Sequence, residues 1–140
     1  MRILIINGPN LNLLGKRQPE IYGHESFDDF LDKIKVAFPK ASIAYFQSNH
    51  EGELIDRIQQ AEGIYEGILL NPGGYSHTSI SLADAVAAVS VPVIEVHISN
   101  IYAREEFRRH SYVSPYCKAV ISGMGLEGYR AAMRFFLENR

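Results

Sequence analysis

Five short apolar runs, each followed by a stretch with helical spacing, constrain this chain more than any other feature. The runs are "RILIIN" (2–7), "ASIAYFQ" (41–47), "GILLN" (67–71), "VPVIEVHI" (91–98) and "KAVISG" (118–123). They are close to continuously apolar, as strands covered on both faces are, rather than alternating. Behind Ser26, a good N-cap, Phe27, Phe30, Leu31, Ile34 and Phe38 recur at helical spacing. Leu54, Ile55, Ile58 and Ala61 mark a second helix on "GELIDRIQQA", and "SISLADAVAAV" (79–89) a third, with Thr78 or Ser79 as cap. "NIYAREEFRRH" (100–110) reads as a fourth, and a last helix carries Leu126, Tyr129, Met133, Phe136 and Leu137 on one face. No linker, repeat or low-complexity tract divides residues 1–140, which are expected to form one domain. Five β-α units are too few for an eight-stranded barrel. The expected fold is α/β: a flavodoxin-like, doubly wound, five-stranded parallel sheet with helices on both faces.

In such a sheet ligands bind beyond the carboxyl ends of the strands, and the chain's chemistry gathers there. "GPNLNLLGKRQPEIYG" (8–23) follows the first strand. Five glycines and prolines make it a poor helix and a poor strand, yet it holds Asn10, Asn12, Arg17 and Tyr22. Long loops in compact domains are usually functional or disordered. After the third strand come Asn71 and "PGGYSHTS" with His77. The fourth strand places Glu95 and His97 on one side, followed by Ser99 and Asn100 opening a helix, with Arg104 and Arg108 one turn apart on it. Each residue alone has an ordinary role: a satisfied buried pair for Glu95 and His97, a solvated face for the arginines, a cap for His77, a turn for Asn71. Those roles do not account for all of them falling at the same rim.

Composition narrows the partners. A net charge of −2 gives no general attraction for nucleic acid or an acidic membrane. The single cysteine, Cys117, allows no intrachain disulfide and reads as an inert core thiol. No apolar run spans a bilayer, and "MRILIING" is too short for a signal peptide, so a cytoplasmic location is expected. The five histidines lack metal-ligand spacing, so no metal and no cofactor are expected. "GMGLEG" (123–128) matches a dinucleotide fingerprint, but no strand follows it with the needed acidic residue; it reads as a tight turn and close helix packing.

The rim suits proton abstraction beside a carbonyl. One opposite charge in contact lowers a pKa by about 1–3 units, so an arginine beside a tyrosine favours a phenolate base; Arg17 and Tyr22 on one loop offer that pair. Asn10 suits a developing enolate oxygen, His97 a general acid with Glu95 orienting it, and the Ile98 and Ser99 amides a carboxylate. Asn71, His77 and Arg108 suit hydroxyls. A small, anionic, polyhydroxylated substrate losing water fits such a site.

The segments "INGPNLNLLGKRQPEIYG", "QSNHEGELID", "NPGGYSHTSISLADA", "IEVHISNIYAREEFRRHSY" and "GMGLEGY" resemble the type II 3-dehydroquinate dehydratases, in family order over essentially the whole chain. The resemblance implies cofactor-free trans elimination of water from 3-dehydroquinate through an enol or enolate. It implies Tyr22 as base, Arg17 as its activator, Asn10 as enolate donor, His97 as acid with Glu95 beside it, and the Ile98–Ser99 backbone for the carboxylate. Asn71, His77 and Arg108 fall on substrate-binding positions. Asp84 matches an acidic residue delivered by a neighbouring subunit, and the family assembles trimers into a dodecamer. Lys16, Gln18 and Ala83 depart from the family pattern, the last next to Asp84. The competing reading is a non-catalytic module on the same fold. A flavin carrier would need a Ser/Thr-rich loop where "GPNLNLLG" stands, and a receiver domain a phosphorylatable Asp where Asn71 stands.

Overall fold

The computed structural model describes residues 1–139. In chain order its regular elements are β1 (Arg2–Asn7), α1 (Pro19–Tyr22), α2 (Phe27–Ala37), β2 (Ser42–Gln47), α3 (Glu51–Gln60), β3 (Gly67–Asn71), α4 (Ile80–Ala88), β4 (Val93–His97), β5 (Ala119–Ser122) and α5 (Glu127–Glu138). The strands form one parallel sheet in the order β2-β1-β3-β4-β5, the flavodoxin-like arrangement.

Side chains alternate across the strands and build two cores. Ile3, Ile5, Leu69, Ile94 and Val96 pack on one face against Phe30 and Ile34 of α2 and Met133 and Phe136 of α5. Leu4, Ile6, Ile68, Leu70 and Val93 pack on the other against Leu54 and Ile58 of α3 and Leu82 and Val86 of α4. That double coverage accounts for the unbroken apolar runs. Two expected caps are in place: Ser26 Oγ accepts from the Asp29 amide at 3.2 Å and Ser79 Oγ from the Leu82 amide at 2.9 Å. The "GMGLEG" glycines make a turn and a close contact, since a Cβ on Gly128 would lie 3.2 Å from both Ile121 and Val96.

Two local expectations need correction. The opening loop is not irregular throughout: Leu11–Leu13 forms a 3-10 turn and Pro19–Tyr22 one turn of α-helix, with proline at the start where its missing N–H costs nothing. Conversely, 100–110 is not an α-helix. It forms 3-10 turns at Ile101–Ala103 and Glu106–Arg109, with Arg104 extended between them (φ −109°, ψ −161°). Helical spacing there lacks a buried stripe to stabilise a helix; Tyr102 and Phe107 are exposed. Cross-links fix the irregular path instead, including the Ile101 amide on Ser122 Oγ and the Tyr112 amide on the Ser76 carbonyl.

The register sets the carboxyl rim. Asn7 of β1 lies beside Asn71 of β3, and the Gly8 amide donates to the Asn71 carbonyl at 2.8 Å. A Cβ on Gly8 would stand 2.5 Å from the Pro72 carbonyl oxygen, so only glycine lets these two strand exits run so close.

Candidate active site

The loops after β1, β3 and β4 enclose a cavity of about 140 Å³ at the carboxyl rim, at the point where strand order reverses. Asn10, Arg17, Tyr22, Asn71, His77, His97, Ile98, Ser99 and Arg108 line it, as does Arg104. A larger, more open hollow at the opposite rim, about 480 Å³, has Glu66 and Lys118 as its charged side chains among the described residues. Convergent chemistry, not size, distinguishes the first.

Beneath the cavity a buried polar cluster anchors the strand ends. Tyr129 Oη, from α5, donates to Asn7 Oδ1 at 2.7 Å and accepts from Asn71 Nδ2 at 3.1 Å. Burial pushes the Tyr129 phenol well above its ordinary range, so it stays a neutral donor. Asn71 Oδ1 accepts from the Gly73 amide at 3.1 Å, which fixes the side chain from both ends. Asn7 Nδ2 donates to Tyr45 Oη at 3.3 Å, and burial raises Tyr45 to about 12.

Glu95 and His97 alternate on β4 and form a hydrogen-bonded pair through Oε2 and Nε2. The ordinary structural role is thus present: the pair is buried and satisfied. Glu95 is fully buried and lies behind His97 rather than on the cavity wall. Burial alone would raise its carboxyl, but the hydrogen bond and charge of His97 and the Ser114 and Ser111 hydroxyls outweigh it and hold it below the usual carboxylate range. Ser114 donates to Oε1 at 2.6 Å and Ser111 to Oε2 at 2.9 Å. Ser111 Oγ also accepts the Val113 and Ser114 amides at 3.2 Å, which turns its own proton toward Glu95. Nε2 is directed at the carboxylate, with Ser76 Oγ 3.4 Å away, and Nδ1 has no hydrogen-bond partner among the described residues.

His77 stacks on His97, ring centroids 6.2 Å apart. Its Nδ1 lies 2.7 Å from the His110 carbonyl, so that nitrogen carries the proton. Burial holds His77 below the usual histidine range, assisted by His97 and Arg108 and opposed by the carbonyl bond. The Ile98 and Ser99 amides find no backbone acceptor among the described residues. They do not open a helix as expected, because the next turn starts at Ile101.

Tyr22 is the residue most changed by the structure. Arg17 does not bond its hydroxyl; its guanidinium carbon lies 5.3 Å from the ring centroid. Arg104 supplies that bond: Nη1 donates to Tyr22 Oη at 2.9 Å and to Ser99 Oγ at 3.3 Å. The sequence places Arg104 at the rim without assigning it a role, and its extended backbone is what aims it at Tyr22. Asp84 is exposed on α4 and outside the cavity of this single chain. Among the described residues no three His, Cys, Asp or Glu side chains converge as a metal site, and no helix is long and apolar enough to cross a membrane.

The family described as dehydroquinase class II matches residues 1–137. This chain belongs to that family. Among its relatives, the 3-dehydroquinate dehydratase of Bacillus licheniformis is 52% identical over 138 residues, covering 96% of this chain and 94% of the relative. The catabolic 3-dehydroquinase of Verticillium alfalfae is 51% identical over 136 residues, covering 96% and 91%. The crystal structure of type II dehydroquinase from Butyrivibrio crossotus superposes with a TM-score of 0.95 at 45% identity, covering 98% of this chain and 97% of that one. This dehydroquinase fold thus extends over the sheet, the opening loop and the cavity together.

Proposed function

We propose that this class II dehydroquinase is a hydro-lyase that converts 3-dehydroquinate to 3-dehydroshikimate and water in the shikimate route, acting as one domain without metal or organic cofactor. The observation that carries the reading is the Arg104–Tyr22 hydrogen bond on the same cavity that His97 lines with Glu95 behind it. One wall offers an oxygen to take a proton and another a nitrogen to give one, as a trans elimination requires.

In the forward reaction the Tyr22 oxygen removes the proton beside the ketone. The Arg104 N–H and the nearby Arg17 charge suit an oxygen that is anionic when it acts. The electron pair moves onto the ketone oxygen, where the Asn10 amide, directly or through water, stabilises the enolate. The enolate collapses to the conjugated alkene, expelling the hydroxyl as His97 protonates it. Glu95 balances the imidazolium charge and holds the ring in place. The substrate carboxylate sits on the Ile98 and Ser99 amides, and Asn71, His77 and Arg108 hold its hydroxyls.

Asp84, supplied by a neighbouring subunit to the site of the next, accounts for an acidic residue exposed on α4. Trimers stacked into a dodecamer complete this reading, as does a cytoplasmic location, where the free thiol of Cys117 stays reduced. The flavin-carrier and receiver alternatives are not favoured: the position after β3 that a receiver would phosphorylate is Asn71, tied to Tyr129 and Gly73.

The test is appearance of the conjugated enone absorbance when chelator-treated protein meets 3-dehydroquinate. No product refutes the proposal. Tyr22→Phe is expected to keep the fold and lose about 10²–10⁴-fold in kcat; near-parental turnover removes Tyr22 from the base role. Borohydride with substrate is expected to leave activity intact, since no imine forms. A species of twelve chains by light scattering tests the assembly.

A further inference from the structure

The motif "QSNHEGELID" contributes nothing to the cavity wall, yet its first residues are bound to the opening loop. Asn10 has a left-handed backbone (φ 69°, ψ −4°), a conformation L residues other than glycine rarely hold and asparagine tolerates best. Its amide donates to Asn49 Oδ1 at 3.0 Å. Gln47 Nε2 donates to the same oxygen at 3.1 Å and to the Gly8 carbonyl at 3.2 Å. Two N–H donors converge on one atom, so the Asn49 amide is oriented with its oxygen inward.

The Asn49 backbone is held as well. Tyr75 Oη, from the loop after β3, donates to the Asn49 carbonyl at 3.0 Å. Next to it, the Ser48 amide donates to the Asn7 carbonyl at 3.1 Å, and Ser48 Oγ bonds Glu53 Oε1 at 2.5 Å while accepting the His50 amide at 2.9 Å. Asn49 therefore joins the loops after β1, β2 and β3 at the residue whose side chain lines the cavity.

We infer that Asn49 is a positioning residue: it locks the left-handed backbone of Asn10 and thereby aims the Asn10 side chain into the active-site cavity. It touches no substrate and acts through Asn10. The inference rests on the dehydratase reading for its catalytic consequence, but the lock itself is a property of the chain. Without the acceptor, Asn10 relaxes toward ordinary φ values and its amide leaves the place where the enolate oxygen develops.

The test compares the parent with Asn49→Ala, Asn49→Asp, Asn10→Ala and the Asn10→Ala/Asn49→Ala double variant, by steady-state kinetics on 3-dehydroquinate and by amide hydrogen exchange. Asn49→Ala is expected to lose about 10- to 100-fold in kcat, the scale set by a misplaced catalytic group, with KM little changed. Asn49→Asp keeps an oxygen for both donors and is expected to recover most of that loss. Asn10→Ala is expected to lose about 10²-fold, and adding Asn49→Ala to it to cost nothing more. The Asn10 amide exchanges faster in Asn49→Ala while β1 does not. Parental kcat in Asn49→Ala, additive losses in the double variant, or unchanged exchange at Asn10 each overturn the inference. A parent without turnover refutes the dehydratase reading instead, and the exchange result then decides the lock alone.

Discussion

Tyr129→Phe removes one oxygen from the most buried part of the site's foundation. The ring has no exposed surface and packs against Phe27 and Phe30, so phenylalanine fills the same space. What changes is polar. Asn7 Oδ1 loses a donor at 2.7 Å and Asn71 Nδ2 an acceptor at 3.1 Å, both where water has no access. An unsatisfied buried group costs about 1–3 kcal/mol, against which burying a phenyl instead of a phenol returns about 1 kcal/mol. With two such groups the expected net loss is about 1–5 kcal/mol, or a fall of about 3–15 °C in Tm for a domain of this size. Urea denaturation reads it directly, as a lower midpoint at an unchanged slope. The same variant leaves Asn71 held only through Gly73, so KM for the substrate is expected to rise. Because Asn7, Tyr129 and Asn71 form one network, Asn7→Ala is expected to cost less in the Tyr129→Phe background than in the parent. A stability loss below about 0.5 kcal/mol, the level of an indifferent surface change, refutes the reasoning.

Arg104→Met keeps most of the side chain's apolar bulk and removes the donor to Tyr22. A hydrogen bond to a charged group is worth about 1.5–3 kcal/mol, so kcat is expected to fall about 10- to 150-fold; an unchanged kcat excludes Arg104 from the reaction. Glu95 supplies a pH dependence. Its carboxyl is lower in the folded chain than the ordinary value of 4.5, so the unfolded chain binds the proton more tightly. The stability this contributes is complete above the unfolded value and is lost as pH falls through the lowered folded one. Glu95→Gln is expected to flatten the acid side of the stability curve, measured by urea titration from neutral to about pH 3; an unflattened curve places the acid sensitivity elsewhere.

Much of this was legible in the sequence because the physics was local or repetitive. Continuous apolar strands could only be covered on both faces, and the alternating order of elements then dictated a parallel sheet with its chemistry at one rim. Asn10, Arg17, Tyr22, Asn71, His77, His97, Ile98, Ser99 and Arg108 meet there as that logic requires. What stayed hidden depended on single tertiary bonds. Residues 100–110 have helical spacing but no core to face, and the extended conformation of Arg104 carries it to Tyr22. Nothing in the loop's composition signals which of two arginines reaches the phenol. The left-handed Asn10 and its Asn49 acceptor are 39 positions apart, a pairing no local pattern reports.

The parallel register has a practical consequence at the other end of the molecule. The groups proposed to act on substrate hang from the strand exits, whereas Met1 and Asn139 border the same hollow at the strand entrances. The two rims are separate provinces. A fluorophore, affinity handle or tethering surface attached beside Met1 faces away from substrate traffic, so immobilised and labelled forms are expected to turn over like the free protein. The exposed turn feeding β2, Pro39–Lys40, is the place to insert foreign sequence.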